Sequence, residues 1–280
     1  MAKKTTLKAN CFGLPYMGSK NGIAKRIVAL LPRATHFYDL FCGGCAITHV
    51  AMLSGKWQQY HINDISMMPQ LFADAVAGKY ANERRWISRE DFFRLKDTDP
   101  YVACVWSFGN DCRAYMYGKD IEEVKHALHD IHFATTSQER NEAMARYREL
   151  TNGIQKQRLG EAQHLERLQS LQSLQRLQRL QSLQRDYRDV PIEDDAVIYC
   201  DPPYKDTAEY AHGEFDHEAF YDWCEAQTQP VYISEYSMPS DRFVCIAEFS
   251  KPSLRNNEGL EKKKMVIEKV FRPRKQVIGA

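Results

Sequence analysis

The chain has 280 residues, of which 44% are hydrophobic and 27% are charged, and its net charge is +1. These totals are typical of a soluble globular protein and exclude a globally basic nucleic-acid binder, so any contact with DNA has to come from local patches of charge. There is no run of about 18 apolar residues and no apolar signal core at the amino terminus, so we expect neither a membrane span nor an export signal. Eight cysteines in apolar contexts suit a reduced, cytoplasmic protein.

The segment Tyr16-Met17-Gly18-Ser19-Lys20 is predicted to be a loop, and a helix follows it at 22–31. Tyr16 and Lys20 could reach a ligand from such a loop. A surface lysine and a half-buried tyrosine explain the segment without a ligand, and the local sequence favours that explanation.

A strand at 34–40 is predicted to turn through Gly43 and Gly44 into a helix, and a second strand at 60–63 ends in Asp64. A strand, a glycine-rich turn and a helix form the first unit of a nucleotide-binding α/β fold, because glycines let the backbone approach a ligand closely. Asp64 follows Gly44 by 20 residues. At this spacing an acid caps the second strand and accepts hydrogen bonds from ribose hydroxyls.

Cys42 and Cys45 have the CxxC spacing of some metal and redox sites. A zinc site needs a second pair of ligands, and the next cysteines, Cys104 and Cys112, show no paired spacing. We therefore interpret Cys42 and Cys45 as small buried residues around a glycine turn, and we predict no metal site.

Between residues 67 and 157 the pattern changes, with helices predicted at 70–77, 121–131 and 139–150 and an aromatic, glycine-containing loop at 106–118. Basic residues make this segment locally positive: Arg84, Arg85, Arg89, Arg94, Arg113 and Lys119. Basic residues interleaved with aromatic ones suit contact with phosphates and bases. An ordinary solvated helical subdomain would fit the same segment.

Leucine recurs at every third position from 165 to 183, with Gln, Arg and Ser between. This period matches neither an α-helix nor a coiled coil, and a long 3₁₀ helix, which would align the leucines, is disfavoured. A helix is our interpretation, as an arm that docks on the catalytic domain or packs with a second copy. A tandem expansion without a chemical role is the simpler alternative.

The segment Asp201-Pro202-Pro203-Tyr204 follows an apolar run at 196–200 that is long enough for one buried strand. Two prolines cannot continue a sheet, because each lacks an N–H. An acid, a rigid corner and an aromatic ring therefore stand at the carboxyl end of a strand, where ligands bind in α/β folds. The Asp201 carboxylate and the Pro202 carbonyl could accept the two N–H groups of a nucleobase amine, and Tyr204 could stack on the flipped-out base. Taken alone, the segment also fits a plain strand-to-loop turn.

After a polar loop at 205–213, a helix capped by Asp216 is predicted at 217–226, with strands at 230–234 and 244–249. Residues 262–271 alternate enough to form an edge strand, which begins with Lys262, Lys263 and Lys264. Strands that alternate with helices predict an α/β fold, a mostly parallel sheet with helices on both faces.

In this order the motifs resemble the Dam-type family of adenine-specific DNA methyltransferases, over residues 1–80 and 186–280. The resemblance rests on the loop at 16–20, the segment Asp39-Leu40-Phe41-Cys42-Gly43-Gly44, Asp64 and the tetrapeptide at 201–204. It implies a Rossmann-like methyltransferase sheet, S-adenosylmethionine as the methyl donor, and a mostly helical target-recognition insert before the tetrapeptide. The family usually has a glycine where this chain has Cys45, and the Leu-Gln repeat is not part of its pattern.

The resemblance also implies roles for the residues that match its motifs. The cofactor positions are Tyr16, Lys20, Asp39, Phe41, Gly43 and Asp64, together with Asp201, which is shared between the cofactor and the target base. The catalytic residues are Asp201, Pro202, Pro203 and Tyr204. Candidate contacts to DNA are Asn110, Arg113 and Lys119.

We therefore predict a site-specific methyltransferase that acts on N6 of a flipped-out adenine in duplex DNA, in the bacterial nucleoid or a phage-infected cell. The predicted domains are a cofactor-binding half at 1–80, the insert at 81–157, the repeat arm at 158–185 and a catalytic half at 186–280. Methylation of cytosine N4 is an alternative, which Asp rather than Ser at position 201 disfavours. A catalytically silent DNA-binding relative is a second alternative. A dinucleotide-dependent oxidoreductase is a third, and it lacks a complete G-x-G-x-x-G.

Overall fold

The computed structural model describes residues 11–16, 18–151, 159–177, 179–204, 215–252 and 265–278. Met17, the predicted polar loop at 205–213 and the lysines at 262–264 lie outside the described residues. The chain divides into two compact units. The first comprises Met1–Gly13, Lys20–Pro69 and Arg176–Ala280, and the second comprises Leu14–Ser19 and Gln70–Gln175.

The first unit is built on a seven-stranded sheet with the strand order β3-β2-β1-β4-β5-β7-β6. The strands are β1 (His36–Asp39), β2 (Gln59–Asn63), β3 (Leu180–Leu183), β4 (Ala196–Cys200), β5 (Val231–Glu235), β6 (Phe243–Pro252) and β7 (Met265–Pro273). Strands β1 to β5 pair in parallel, and β7 runs antiparallel to both of its neighbours, β5 and β6. The predicted α/β fold with a mostly parallel sheet is confirmed.

The centre of the sheet is its most buried part. Strands β4 and β5 bury all five of their residues, which is typical of parallel strands covered on both faces. The helices of this unit are α1 (Ala24–Leu30), α2 (Ala46–Ser54), α9 (His217–Ala226) and α10 (Lys275–Ile278). Helix α9 begins at the predicted cap, where the Asp216 side chain accepts a hydrogen bond from Ala219 N. Phe220 and Cys224 of α9 join Ile198 and Ile233 of the sheet in one buried cluster.

The prediction of an edge strand at 262–271 is wrong. Strand β7 lies between β5 and β6, and β6 forms the edge of the sheet. Along β7, Glu268 and Val270 are buried whereas Ile267 is 48% exposed. This alternation shows which side chains face the core, but it carries no information about which strands pair on either side.

The second unit is helical, and helix α3 (Met68–Val76) carries the chain into it. Its other helices are α4 (Arg89–Leu95), α5 (Pro100–Val105), α6 (Glu122–Phe133), α7 (Ser137–Thr151) and α8 (Gly160–Ser170). Ser88 and Asp99 cap α4 and α5 through their side chains, and Pro100 occupies the first position of α5. None of the helices in the described ranges has the length and apolar character needed to span a bilayer.

The leucine repeat takes three conformations in succession. It forms α8, then a seven-residue 3₁₀ helix at Leu171–Leu177, then strand β3. A 3₁₀ helix has about three residues per turn, so it keeps every third side chain on one face. Leu171 and Leu174 are both fully buried, which explains how a period of three is accommodated. Strand β3 pairs with β2 and ends the sheet on that side.

A buried carboxyl in the second unit holds a proton. Glu161, in the first turn of α8, is 2% exposed and accepts a hydrogen bond from the Tyr117 hydroxyl. His129 lies beside it, with Nδ1 3.2 Å from Glu161 Oε1 and Nε2 2.8 Å from the carbonyl oxygen of Arg84. A carbonyl only accepts, so Nε2 carries the ring proton. Burial raises the pKa of Glu161 to about 7 and lowers the pKa of His129, so below about pH 7 the proton between the two side chains resides on Glu161.

The free energy of unfolding should therefore depend on pH through Glu161. Its pKa is higher in the folded chain than its ordinary value of 4.5. The contribution of Glu161 to the free energy of unfolding is therefore complete below pH 4.5 and is lost as the pH rises through about 7. This contribution is at most about 3 kcal/mol. Glu161→Gln retains an acceptor for Tyr117 and a donor for His129 without a titrating proton. Urea unfolding at several pH values between 5 and 8 should show a smaller decline for the variant. Both proteins should still lose stability with rising pH, because burial also raises the pKa of Asp39 to about 7. If the wild type and the variant lose the same amount, the assignment to Glu161 is contradicted.

Candidate active site

Four acidic residues stand at the carboxyl edge of the sheet. Asp39 is the last residue of β1, Asp64 follows β2, and Asp201 follows β4. Because these strands are parallel, their carboxyl ends meet at one edge. Lys269 of β7 pairs with Glu235 at the carboxyl end of β5. Glu268 directly precedes Lys269, so it reaches the same edge from the opposite chain direction.

The glycine-rich turn after β1 is held against β2. Gly43 N donates to Asp64 Oδ2 at 2.9 Å, and Cys42 N donates to the carbonyl oxygen of Asn63 at 3.0 Å. Cys45 has a left-handed backbone with φ of 55°. That conformation costs an ordinary L-residue about 1–2 kcal/mol and costs glycine nothing. The geometry explains why a glycine suits this position, and it shows that this chain makes the turn with a cysteine.

The two thiols of this turn are packed together. Cys42 Sγ and Cys45 Sγ lie 3.3 Å apart, and both residues are buried free cysteines. Burial raises the pKa of both thiols, which keeps them protonated and poorly nucleophilic at neutral pH. Over the residues that the structure describes, no group of three or more His, Cys, Asp or Glu side chains could hold a metal ion.

Asp39 lies buried under the same turn. Thr48 Oγ1 donates to its Oδ2 at 2.6 Å. Burial raises the pKa of Asp39 to about 7, and the neighbouring carboxylates of Asp201 and Asp64 add to that effect. Its Oδ1 is buried and has no hydrogen-bond partner among the described residues. An acceptor with unused capacity at the end of a strand suits a hydrogen-bond donor on a ligand.

Asp201 is paired on one side only. Its Oδ2 lies 2.7 Å from Lys20 Nζ, whereas its Oδ1 is buried without a partner in the described ranges. Burial raises the pKa of Asp201, the Lys20 ammonium opposes that rise, and the Glu268 carboxylate adds to it. Lys20, predicted to contact the cofactor, is therefore fixed beside the predicted catalytic acid.

Tyr204 is held on several sides. Its hydroxyl donates to Glu268 Oε1, and Lys20 Nζ lies 4.7 Å from the centre of its ring. The ring of Tyr236 packs edge to face against it at 4.7 Å. Tyr204 is 8% exposed and Tyr236 is 38% exposed, so Tyr236 offers the more accessible aromatic surface. Pro202 is buried and Pro203 is half-buried.

Two predicted cofactor residues have other surroundings. The Phe41 ring contacts the rings of Tyr187 and Phe220 at centroid distances of 5.2 and 5.6 Å, against the buried cluster under the sheet. Tyr16 is half-buried and belongs to the second unit. The backbone of Phe41 therefore lies in the turn at the carboxyl edge, whereas its ring points into the buried cluster.

The three candidate DNA contacts lie on or next to one loop of the second unit. Phe108 N donates to the carbonyl oxygen of Ala114, which closes the loop into a hairpin. Arg113 and Lys119 are exposed. Asn110 has a left-handed backbone, and its Nδ2 donates to the carbonyl oxygen of Cys104 at 3.1 Å, so its amide shapes the loop from within.

The sequence reasoning missed three residues of the first unit. Gly13 lies against the glycine-rich turn after β1, where an added Cβ would come 2.2 Å from the carbonyl oxygen of Gly44. Tyr236 follows β5 and meets Tyr204. Glu268 lies at a buried position of β7, in the same alternation as Val270. A charged residue at a core-facing position of a strand is the signal that could have identified Glu268.

Comparison with models of known protein families finds a match over most of the chain. The family model of the D12 class of N6 adenine-specific DNA methyltransferases matches residues 16–232. No curated protein matches the chain.

Proposed function

Because the chain belongs to the D12 class of N6 adenine-specific DNA methyltransferases, we propose that the carboxyl edge of its sheet holds both the methyl donor and the amine that is methylated. The enzyme transfers a methyl group from S-adenosylmethionine to N6 of adenine in DNA, as its class does. This membership supports adenine rather than cytosine as the target and argues against a dinucleotide-dependent oxidoreductase, and the labelling assay below distinguishes an active enzyme from a catalytically silent relative. The roles of individual residues are our proposal.

The donor pocket is formed by the turn after β1 and the acids around it. S-adenosylmethionine is a cation whose sulfonium supplies an electrophilic methyl carbon. Buried carboxylates with unused acceptor capacity, such as Asp39 Oδ1, fit the positive charge and the N–H and O–H groups of such a ligand. Asp64 accepts from Gly43 N through one oxygen and from Ser66 N through the other, which fixes its carboxylate to accept from ribose hydroxyls.

The amine site is formed by Asp201 and the carbonyl of Pro202. The lone pair of an aromatic amine is delocalised into the ring, and two acceptors on its N–H groups draw the nitrogen toward tetrahedral geometry. The observation that carries this proposal is the Asp201 carboxylate, with Oδ2 paired to Lys20 and Oδ1 buried without a described partner. Asp201 then also accepts the proton that the nitrogen loses.

The target base has to leave the helix to reach this site. Tyr204 is the proposed stacking partner. Because Tyr204 is only 8% exposed, a base that stacks on its ring has to displace side chains that now cover it. Tyr236 lies beside it with more of its ring accessible. We assign both rings to the wall of the base pocket.

Duplex DNA is the proposed partner of the exposed loop at 107–119. Arg113 and Lys119 supply positive charge there, and Phe108 is 68% exposed on the same loop. With a net charge of only +1, affinity for phosphates has to come from such local groups. A DNA substrate supports a location at the nucleoid as part of the proposal, and restriction–modification is a role that fits a site-specific methyltransferase.

The proposal is tested with labelled donor and a mixed-sequence duplex. The wild-type protein should label only N6 of adenine. Arg113→Ala and Lys119→Ala should each raise KM for DNA with kcat unchanged, and each should reduce the slope of log KM against log salt by about 1. Arg33→Ala, an exposed cation before the amino end of β1, is the matched control. If the two loop variants behave like this control, the proposed DNA-binding loop is incorrect.

A further inference from the structure

A second carboxylate reaches the catalytic tetrapeptide from a distant strand. Glu268 on β7 is 0% exposed. It accepts a hydrogen bond from the Tyr204 hydroxyl, and its Oε1 lies 3.6 Å from Lys20 Nζ. Burial raises the pKa of Tyr204, so the phenol retains its proton and remains the donor. The two carboxylates therefore share one ammonium group.

The formal charges of this cluster do not cancel. With both carboxyls ionised, Lys20 contributes +1 and Asp201 and Glu268 contribute −1 each, which leaves a formal net charge of −1 in this site. A Lys20–Asp201 pair alone would be neutral, and the ammonium would compete fully with any other donor for the Asp201 carboxylate. With Glu268 beside it, Lys20 is divided between two carboxylates at 2.7 and 3.6 Å, and more of the acceptor strength of Asp201 remains.

We propose that Glu268 is a positioning residue for methyl transfer: it fixes the Tyr204 hydroxyl and shares Lys20, so that Asp201 keeps an oxygen available to the adenine amine. This inference rests on the proposed role of Asp201. In the reaction the amine nitrogen forms its bond to carbon, while the carbon–sulfur bond of the donor breaks with its electron pair on sulfur. The surplus proton on nitrogen passes to Asp201. A nearby carboxylate that opposes Lys20 makes Asp201 a better acceptor for it.

The same contact fixes the Tyr204 ring. Glu268 holds the hydroxyl, Lys20 Nζ lies 4.7 Å from the ring centre, and Tyr236 packs edge to face. Movement of the side chain about χ1 would take the hydroxyl away from a carboxylate that is fully buried, which is costly. Glu268 therefore fixes the position of the proposed stacking ring as well as the charge beside Asp201, and the contacts of Lys20 and Tyr236 restrict rotation of the ring plane.

The test is a pH–rate profile of single-turnover methyl transfer by Glu268→Gln. Glutamine keeps the volume and an acceptor for Tyr204 but removes the charge, so the variant should lose about 100-fold in rate, as for other losses of positioning, with KM for donor and DNA nearly unchanged. The acidic limb of the pH–rate profile of the variant should move to lower pH, because the Glu268 carboxylate, which raises the pKa of Asp201, is gone. The titratable and charged groups that surround Asp201 remain in place: Asp39, Tyr199, Tyr236, Tyr204 and Lys20.

Two companion variants separate charge from packing. Glu268→Asp keeps the charge and shortens the side chain, so its acidic limb should stay near the wild-type position while the rate falls. Tyr204→Phe keeps the charge of Glu268 but removes a hydroxyl that lowers the pKa of Asp201, so its acidic limb should move to higher pH, opposite to the shift expected for Glu268→Gln. If Glu268→Gln is too unstable to assay, Glu268→Asp provides the test. An acidic limb of Glu268→Asp that moves to lower pH overturns the inference, and a reduced rate with the limb at the wild-type position supports it.

A glutamine variant with the wild-type rate and acidic limb overturns the inference, and so does one that loses activity without a shift of the limb. Asp201→Asn, assayed alongside, distinguishes this failure from failure of the proposed function. If Asp201→Asn is inactive and Glu268→Gln is fully active, only the role of Glu268 is wrong. If Asp201→Asn is active, the proposed amine site itself is wrong.

Discussion

Asp201→Asn should lower the rate of methyl transfer by about 10²–10³-fold, the usual cost of removing one preorganised polar contact from an active site. The Lys20 ammonium lies 2.7 Å from Asp201 Oδ2, so the asparagine carbonyl oxygen has to face Lys20. The amide nitrogen then occupies the position of Oδ1 and presents N–H groups to an amine that needs an acceptor. The variant would keep the shape of the site but would present a hydrogen-bond donor where the amine needs an acceptor.

Single-turnover labelling of duplex DNA measures this effect, and donor affinity by calorimetry separates it from loss of cofactor. Donor affinity should fall much less than the rate, since Asp39 and Asp64 remain. Asp195→Asn is the control at the opposite end of β4, where the carboxylate accepts from Thr35 N at 3.0 Å and from Thr35 Oγ1 at 2.6 Å. A fully active Asp201→Asn would refute the catalytic assignment.

Gly13→Ala should destabilise the first unit and abolish donor binding. Gly13 has φ of +67°, and an added Cβ would lie 2.2 Å from the carbonyl oxygen of Gly44 and 2.6 Å from Ala46 N. Both are backbone atoms of the turn that leads into α2, so the turn itself would have to move. We expect the free energy of unfolding to fall by about 3 kcal/mol or more, a value in the range for strained, overpacked sites.

Thermal unfolding and donor binding are the two measurements for this variant. The melting temperature should fall by about 6 °C or more. Gly55→Ala is the matched control, because Gly55 has a similar φ of +61° and no atom lies within 4 Å of its added Cβ. It should cost only about 1 kcal/mol from backbone strain and should leave donor binding intact. If Gly13→Ala and Gly55→Ala were equally stable, the close approach of Gly13 to the turn would not contribute to stability, and the prediction would be wrong.

Motifs of consecutive residues were predicted correctly from the sequence, since short-range chemistry determines them. The two prolines after Cys200 end β4 wherever that strand lies, and Asp201 follows at once. The turn through Gly43 and the acid at Asp64 were predicted from spacing, and the structure joins them through one 2.9 Å hydrogen bond. Each of these features depends on a single strand end or a single turn.

The leucine repeat shows where local reasoning stops. We interpreted the whole repeat as a helix although its period of three fits no regular α-helix, and the structure shows an α-helix over only its first part. Burial of Leu168, Leu171 and Leu174 decides where α8 gives way to the 3₁₀ helix. Pairing with β2 then makes a strand of Leu180–Leu183, although the sequence there continues the same repeat.

The sequence by itself determined the strand ends, the glycine-rich turn after β1 and the tetrapeptide, and with them the family, because each is a run of a few residues whose geometry follows from its own chemistry. Only the tertiary structure decided that β7 enters the sheet between β5 and β6 and that Glu268 meets Lys20 and Tyr204. Strand pairing between segments far apart in the chain depends on the packing of the whole sheet, and no local pattern encodes it.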